Sequence, residues 1–373
     1  MNAFICVNYP IDHKEIGISK KIESQIEAIE RAGYQVTFSA YTDKGIGIYK
    51  NNKEIALYPY PRHINKRIIN TIRRFLWLKA VKSFLQLRKE KYDLAFIRWG
   101  AIDKLFISTL ISIKDKSRFI LMDCHGYHKN YKGRNIKSKY IELTTKKNSN
   151  KLRLYIDECL TETKCTEIFG IPAIPMDTCI DVDKYEKHFY QGTNREIHMI
   201  SVANETPYHG YDRIIRALQA TSHSNVYLHL VGKMSEKTIA MATDASIKDH
   251  IYLYGSLSGK KLIDVYNKCN LGVGPLAPHR IGGKEGTGIK TKEYFAIGLP
   301  YFYAGNELLV PDNYPYVLKL QDDDEPVDID KIITFYTSLP SEDIITEDMR
   351  QFARMHYSWD DVFHKAIQDI LNR

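Results

Sequence analysis

Apolar positions in the first part of the chain alternate between short continuous runs and a helical stripe. Ala3–Asn8 and Gln35–Ala40 have the pattern of buried strands. Between them, Lys14–Arg31 repeats isoleucine at the spacing of one helix face, with Gly17 near its start and Gly33 as its stop signal. Strand, glycine-bearing loop, helix and strand in this order predict the opening of a doubly wound α/β fold.

The same alternation continues to the C-terminus. Further strands are predicted at Asp93–Arg98, Phe119–Cys124, Leu152–Leu160, Ala173–Met176, Ile197–Ala203, Val226–Val231, Ile251–Gly255, Leu271–Gly274 and Tyr301–Tyr303. Helices are predicted at about 102–113, 261–269 and 288–297, and the tail 349–372 is strongly helical.

A chain of 373 residues is long for a single core, so two domains are expected. A polar stretch interrupts the pattern at 188–196, and we place the boundary near 178–195. The predicted domains are residues 1–178 and residues 196–344, with a C-terminal helical segment at 345–373.

Composition and charge narrow the class of protein. Hydrophobic residues make up 44% and charged residues 26%, and no run approaches about 18 apolar residues, so we expect a globular protein that folds in the cytoplasm. The six cysteines form no C-x-x-C pair, which indicates reduced thiols and no metal site. The formal net charge of +8 suits anionic membranes, phosphorylated substrates or nucleic acid. No nucleic-acid-binding module is visible in the sequence.

Basic and apolar residues interleave at 62–91. One interpretation is an amphipathic helix with a solvated polar face. The other is a peripheral contact with an anionic membrane, the inner face of the plasma membrane, where each basic residue contributes about 1 kcal/mol.

A glycine-rich loop runs into a short helix in the stretch 282–300, GGKEGTGIKTKEYFAIGLP. The start of this helix favours an anion, because unpaired N–H groups and the helix dipole point there. Lys290 and Lys292 fall in the first turn and predict a polyanion between them. Glu285 and Glu293 suit hydroxyl groups on either side. Together they indicate a nucleotide-sugar, and the alternative is a solvated helix start with scattered charges.

The segment EGTGIKTKEYFAIGLP resembles the Glu-x7-Glu signature of retaining family-4 glycosyltransferases of the GT-B fold, in the form found in enzymes of bacterial surface polysaccharide synthesis. The resemblance implies two Rossmann-like domains that face a central cleft, with the C-terminal helix crossing back to the first domain. It also implies a nucleotide-diphosphate sugar donor, with a UDP-sugar favoured, and a lipid-linked or oligosaccharide acceptor. No metal and no other cofactor is implied.

The resemblance also implies roles for residues of the signature. Glu285 would bind sugar hydroxyls and Glu293 the ribose, while Lys290 would stabilise the departing diphosphate. His125, at the end of a strand in the first domain, would line the cleft. Main-chain groups at the helix start would hold the diphosphate, those of Gly286, Thr287, Gly288 and Ile289.

Other positions follow the family pattern less closely. Asn204 and His209 stand where the family's phosphate-binding loop has Arg and Lys, and His209 with Gly210 is the local candidate there. Either the diphosphate is held by fewer charges, or Arg213 and Arg280 compensate. Further expected substrate-binding positions lie after predicted strands: Gly17, Gly232, Lys233, Gly255 and Leu257. The acidic run 322–325 is expected to be a solvated turn rather than a metal site.

Two other functions are compatible with the same motifs. One is a GT-B nucleotide-sugar epimerase or phosphorylase, and the other is a binding module that has lost turnover. The departures at Asn204 and His209 favour the binding module, whereas an intact set of Glu285, Lys290 and Glu293 favours transfer.

Overall fold

The computed structural model describes residues 1–12, 17–63, 65–124, 136–192, 195–282 and 288–372. The strands of this part of the chain are β1 (Asn2–Cys6), β2 (Gln35–Tyr41), β3 (Gly45–Lys50), β4 (Lys53–Pro59), β5 (Tyr92–Arg98), β6 (Ser117–Asp123), β7 (Glu158–Thr161), β8 (Glu167–Ile168), β9 (Ile171–Pro175), β10 (Ile197–Val202), β11 (Val226–Val231), β12 (Ile251–Gly255), β13 (Leu271–Val273), β14 (Tyr301–Ala304) and β15 (Val317–Leu320).

The α-helices within the same residues are α1 (Gly17–Arg31), α2 (Lys66–Leu87), α3 (Lys104–Lys114), α4 (Ile136–Asn148), α5 (Tyr211–Ala220), α6 (Glu236–Ala242), α7 (Lys260–Tyr266), α8 (Ile289–Ile297), α9 (Ile329–Thr337), α10 (Glu342–His356) and α11 (Trp359–Leu371). Most predicted strands and helices are found close to the expected positions. The segment predicted as one strand at Leu152–Leu160 is different, because it begins in a 3₁₀ turn over Ser149–Leu154 and only its end forms β7.

The chain divides into two compact units. Unit 1 comprises Met1–Asp177 and Trp359–Arg373, and unit 2 comprises Thr178–Ser358. The predicted C-terminal segment 345–373 is therefore split. In unit 2, Arg350 of α10 donates to the carbonyl groups of Tyr185 (3.0 Å) and Ala296, which fixes α10 beside α8. In unit 1, Asp360 of α11 pairs with Arg31 (2.9 Å), so the tail joins the first unit only from Trp359 onward.

The sheet of unit 1 has the order β4-β3-β2-β1-β5-β6-β7-β9-β8. Strands β1, β2, β5, β6, β7 and β9 pair in parallel, as the alternating pattern predicts. The hairpin β3–β4 at one edge was not predicted. It turns at Asn51 and Asn52, which both have positive φ (50° and 58°), the conformation that a tight hairpin turn requires.

Helix α2 confirms a helix within the basic segment 62–91. Asn65 caps its start by accepting from the N–H of Ile68 at 3.0 Å. Its second half buries Trp77, Leu78, Val81 and other apolar residues against the core of unit 1. Within the described ranges, none of the helices is both long and apolar enough for a membrane span.

The sheet of unit 2 is entirely parallel, with the order β12-β11-β10-β13-β14-β15. Chain order reverses between β10 and β13, which lie side by side in the middle of the sheet. In open α/β sheets a ligand crevice forms outside the carboxyl ends of the strands at such a switch point. The loops after β10 and β13 are therefore where a site is expected in this unit.

Candidate functional site

The loops that follow β10 and β13 meet at the switch point of unit 2. The backbone N–H groups of Leu276 and Ala277 donate to the carbonyls of His209 (3.1 Å) and Tyr208 (3.0 Å). The N–H of Gly288, which precedes α8, donates to the hydroxyl of Tyr208 at 3.2 Å. The start of α8 and the loop before α5 thus form one surface, as the sequence motifs predict.

Lys290 lies in the first turn of α8 and is almost fully buried. Its ammonium donates to Ser201 Oγ at 3.0 Å and lies 5.9 Å from the ring centre of Tyr211. Among the described residues, no carboxylate is within ion-pair distance of it. Burial without an opposite charge lowers the pKa of Lys290 to about 7. The site therefore contains a cation that an anion would stabilise.

Lys292 lies two residues further along α8 and has a different environment. Its ammonium pairs with Glu307 at 2.8 Å, with both side chains fully buried. Tyr301 donates to the second oxygen of the same carboxylate at 3.2 Å. The expectation that both lysines hold a polyanion is wrong for Lys292, because Glu307 already neutralises it.

His209 lies in the loop before α5, and its ring is stacked nearly parallel to that of Tyr211, with ring centres 5.3 Å apart. The N–H of Thr206 donates to its Nδ1 at 3.0 Å, which places the proton of the neutral ring on Nε2. Burial, and secondarily the charge of Lys290, lowers the pKa of His209 to about 3. At neutral pH His209 thus offers a neutral N–H donor and does not replace a basic residue.

Glycines allow the close approach of these loops. Gly210 is the N-cap of α5, with φ of +62°, and a Cβ there would lie 3.0 Å from the Cβ atoms of Leu276 and Ala277. Gly232 has φ of +128°, and a Cβ there would lie 2.1 Å from the carbonyl oxygen of Ala203. Both positions require glycine for packing at the carboxyl edge of the sheet. Direct contact of either with a substrate remains a prediction.

The side chain of Asn204 binds protein. Its Oδ1 accepts from the N–H of Lys233 at 2.9 Å and so joins the loops after β10 and β11. Lys233 is exposed, and the described residues provide no ion-pair partner for its ammonium. Gly255 ends β12 with φ of +66°, and Leu257 packs partly buried against the apolar core of unit 2. Contact of either residue with a substrate stays a prediction.

Arg213 and Arg280 were expected to compensate for missing phosphate ligands, but the structure gives both of them protein partners. Arg213 is 2% exposed and donates to the carbonyls of Leu276, Gln321 and Glu325 and to Asp323. Arg280 binds Asp212 through two nitrogens (2.6 and 2.9 Å) and also Asp324. We leave both out of the donor site.

The acidic run 322–325 provides several of these partners. Asp322 accepts from His279 Nδ1 at 2.6 Å, which raises the pKa of that imidazole, while Asp323 and Asp324 bind the two arginines. The run is thus a solvent-exposed turn whose ion pairs fix the loop after β15. Across the described ranges, no group of three or more His, Cys, Asp or Glu side chains is arranged to hold a metal ion.

Glu293 is half-buried on α8 and accepts from the hydroxyl of Tyr185 at 3.1 Å. Burial, followed by the charge of Glu293, raises the pKa of Tyr185. Glu285, Gly286, Thr287 and His125 lie outside the described residues, and the helix α1 begins at Gly17.

Sequence reasoning missed three residues that support Lys290 and the start of α8. Ser201 Oγ contacts both Lys290 and the hydroxyl of Tyr211 (3.0 Å), and Tyr208 accepts from Gly288. Tyr208 and Tyr211 flank His209 in the motif PYHGY, so the sequence could have placed them near the site. The contact of Ser201 with Lys290 could not be predicted, because the lysine of α8 meets the end of β10 only in the folded protein.

Residues 183–304 match the protein-family profile described as Glycosyl transferases group 1. This segment is a glycosyltransferase domain. It contains the switch-point loops, Lys290 and Glu293, so the matched domain and the candidate site coincide. At the level of sequence, no curated protein matches the chain.

Solved structures resemble the chain over its whole length. A glycosyltransferase from Rickettsia africae ESF-5 has a TM-score of 0.62 at 12% identity, covering 99% of this chain and 97% of that one. A sucrose-phosphate synthase from Thermosynechococcus elongatus has a TM-score of 0.60 at 13% identity, with coverages of 99% and 98%. Anabaena Alr3699/HepE in complex with UDP-glucose has a TM-score of 0.57 at 11% identity, with coverages of 99% and 100%. The GT-B fold is confirmed, and the domain match confirms the expectation of a glycosyltransferase.

Proposed function

We propose that this protein transfers a sugar from a nucleotide-diphosphate sugar to a glycan or lipid-linked acceptor, with retention of anomeric configuration, in bacterial surface polysaccharide synthesis. The observation that carries the proposal is Lys290, a buried ammonium without a described carboxylate partner at the switch point of a parallel sheet. A diphosphate provides the negative charge that this environment lacks.

The donor diphosphate would lie at the start of α8. The free N–H groups of the first turn, at Ile289 and Lys290, attract an anion there. Lys290 contributes a charge, His209 an Nε2 proton, and Lys233 a second, exposed cation from the neighbouring loop. UDP is the favoured nucleotide, and a structural neighbour, Alr3699/HepE, was solved with UDP-glucose.

Charge on the diphosphate increases as the bond to the sugar breaks. A cation that is already in place and shielded from water stabilises this charge more than the ground state. Lys290 would therefore act mainly on turnover. The leaving phosphate would help to deprotonate the acceptor, so no protein nucleophile is proposed.

The two glutamates of the signature keep the roles proposed from the sequence. Glu293 would bind the ribose and Glu285 the hydroxyls of the transferred sugar. The hydroxyl of Tyr185, which donates to Glu293 at 3.1 Å, holds one oxygen of that carboxylate in place.

Membrane contact remains part of the proposal, but the structure changes which basic residues of α2 we assign to it. Arg74 is held by Asp103 (2.6 Å), and Arg73 is half-buried over the ring of Tyr41 at 3.9 Å, so neither is available to lipid. Arg67 and Lys79 are exposed on α2, beside the exposed apolar side chains of Ile68 and Phe75. We propose this basic and apolar face of α2 as the peripheral contact of a cytoplasmic enzyme with anionic lipid.

The membrane contact is tested with vesicles of phosphatidylglycerol and phosphatidylcholine. Arg67→Glu with Lys79→Glu should abolish co-sedimentation and leave hydrolysis of soluble donor intact. The matched pair Lys237→Glu with Lys248→Glu, exposed in unit 2, should bind vesicles like the unchanged protein. Equal binding by all three proteins would show that the basic and apolar face of α2 is an ordinary solvated surface.

The transfer activity is tested by incubation with a panel of UDP-, GDP- and TDP-sugars, with and without glycan acceptors. Release of nucleotide diphosphate together with a new glycoside is expected, and Lys290→Ala should suppress both. EDTA should leave the rate unchanged, since we assign the diphosphate charge to lysine. Donor binding without turnover would instead establish a binding module, and free sugar isomers without glycoside an epimerase.

A further inference from the structure

A cavity lies on the same unit, and its lining residues are other than those at the start of α8. Its volume is about 440 Å³, which is in the range of small-molecule sites. Aromatic, imidazole and basic side chains from β10, β11, β12 and the segments beside them line it, chiefly Tyr190, His198, His229, Tyr252, Tyr254 and Lys268.

The rings on this face of the sheet stack across neighbouring strands. His229 lies nearly parallel to Tyr252, with ring centres 4.7 Å apart, and to Tyr254 at 5.8 Å. Tyr252 stands on the edge strand β12 and is 41% exposed. An aromatic ring has a negative face, which attracts the weakly positive C–H groups of a pyranose ring. The cavity thus offers a stacking surface for a sugar.

The polar groups of the cavity form a hydrogen-bonded chain with one direction. Tyr254 OH lies 2.8 Å from His229 Nδ1, and His229 Nε2 lies 2.9 Å from His198 Nδ1. His198 Nε2 faces the carboxylate of Glu196 at 3.5 Å and so carries a proton. His198 Nδ1 then accepts from His229, and His229 Nδ1 accepts from Tyr254. The lone pairs of the Tyr254 oxygen remain available to accept from a ligand hydroxyl.

This direction of hydrogen bonding requires the imidazoles of His198 and His229 to be neutral, and their pKa values agree with that. Burial lowers the pKa of His229 to about 3 and lowers the pKa of His198 as well, the latter against the effect of Glu196. The cavity's positive charge therefore comes from Lys268, which is exposed and has no ion-pair partner among the described residues. A ligand with hydroxyl groups, a stacking ring and a negative charge matches these three features.

We propose that this cavity is a second carbohydrate-binding site, which takes an acidic sugar ring, such as a uronic acid residue of a glycan. The choice of a saccharide over another ring rests on the proposed function, because a glycosyltransferase handles glycans. Such a site would hold a growing acidic polymer on the same domain as the proposed donor site.

Calorimetric titration with trigalacturonic acid tests the proposal, with maltotriose as the neutral probe. Trigalacturonic acid should bind at least tenfold more tightly than maltotriose at low salt, and the difference should shrink as salt is added. Tyr252→Ala should weaken both probes by about fivefold. Lys268→Ala should remove the preference for the acidic probe.

Two matched variants serve as controls. Leu253→Ala changes the next residue of β12, which points to the other side of the sheet. Lys261→Ala removes an exposed cation from α7. Both should bind trigalacturonic acid like the unchanged protein. Equal affinity for both probes, or equal loss in Tyr252→Ala and Leu253→Ala, would overturn the proposal. The proposal would also be overturned if uridine monophosphate bound to the protein, neither saccharide did, and Tyr252→Ala removed the binding of uridine monophosphate.

The test separates this site from the proposed transfer reaction. Lys290→Met should stop turnover of the nucleotide-sugar and leave trigalacturonic acid binding unchanged, whereas Tyr252→Ala should leave affinity for UDP unchanged. Absence of transfer with intact, Tyr252-dependent saccharide binding would contradict the proposed function alone. Transfer without saccharide binding in the cavity would contradict the second site alone.

Discussion

Lys290 and Lys292 occupy the same turn of α8, and both are buried, yet their surroundings differ. Lys292 has a fully buried carboxylate at 2.8 Å, so its charge is neutralised within the fold. Lys290 has a serine hydroxyl at 3.0 Å and an aromatic ring, and its pKa falls to about 7. Lys292 is part of the scaffold, whereas the charge of Lys290 would be balanced only by an anionic ligand. The pair shows how a ligand site is distinguished from a structural ion pair.

The largest expected effect concerns the scaffold. Lys292→Met leaves the Glu307 carboxylate buried without its partner, and should lower the free energy of unfolding by about 3–5 kcal/mol. Adding Glu307→Gln removes the stranded charge and keeps an acceptor for Tyr301, so the double variant should recover most of the loss. Urea unfolding of the three proteins measures both changes. Equal stability of Lys292→Met and the unchanged protein would show that the pair is not structural.

The second effect concerns catalysis. Lys290→Ala should lower the turnover number about a hundredfold, because a preorganised charge on a leaving group contributes about 3 kcal/mol. Lys290→Met, which keeps the volume, should show the same loss in steady-state kinetics and raise the free energy of unfolding by about 1 kcal/mol, since it removes a poorly compensated buried charge. A loss of stability with normal turnover would place Lys290 in the scaffold with Lys292.

The smallest effect extends the comparison to the other cations of the domain. Lys233 is exposed and has no described ion-pair partner, whereas Arg280 is held by Asp212 and Asp324. Lys233→Ala should raise the Michaelis constant for donor about threefold, in the range of a solvent-exposed charge pair. Arg280→Met should leave that constant unchanged within about twofold. If initial-rate kinetics showed a larger increase of the Michaelis constant in Arg280→Met than in Lys233→Ala, Arg280 would contact the donor in the bound state.

The sequence predicted much of this fold because parallel sheets leave a clear pattern. Apolar runs of strand length, separated by helical stripes, located β10, β11, β12, β13 and α8 within a few residues. The hairpin β3–β4 was overlooked, although its Asn51-Asn52 pair was a readable turn signal. The break between α10 and α11 was missed because Tyr357 and Trp359 are buried and continue the apolar pattern across the end of a helix.

The candidate site was predictable only in part. The motif placed Lys290 at a helix start, but Lys290 and Lys292 look equivalent in sequence. Glu307, which distinguishes them, lies on the loop after β14 and is brought to Lys292 only by the fold. Arg213 and Arg280 were likewise misjudged, because their partners at 321–325 are more than forty positions away from either of them. Pairing of charges is a tertiary property that local spacing does not encode.

Lys290 is proposed to bind the diphosphate and to be protonated when the diphosphate binds. In the free protein its pKa is about 7, so at pH 8 most of the ammonium has lost its proton. A bound diphosphate favours the charged form and raises this pKa, so binding takes up a proton, and affinity falls as pH rises above about 7. His209 contributes nothing in this range, because its pKa of about 3 keeps it neutral.

Calorimetric titration with UDP at pH 8, in two buffers with different enthalpies of ionisation, measures this uptake directly. We expect uptake of about one proton per UDP bound in the unchanged protein, because one lysine changes from mostly neutral to charged. It predicts uptake near zero in Lys290→Met, with weaker binding. Equal proton uptake by the unchanged protein and Lys290→Met would contradict the claim that Lys290 is the cation that holds the diphosphate.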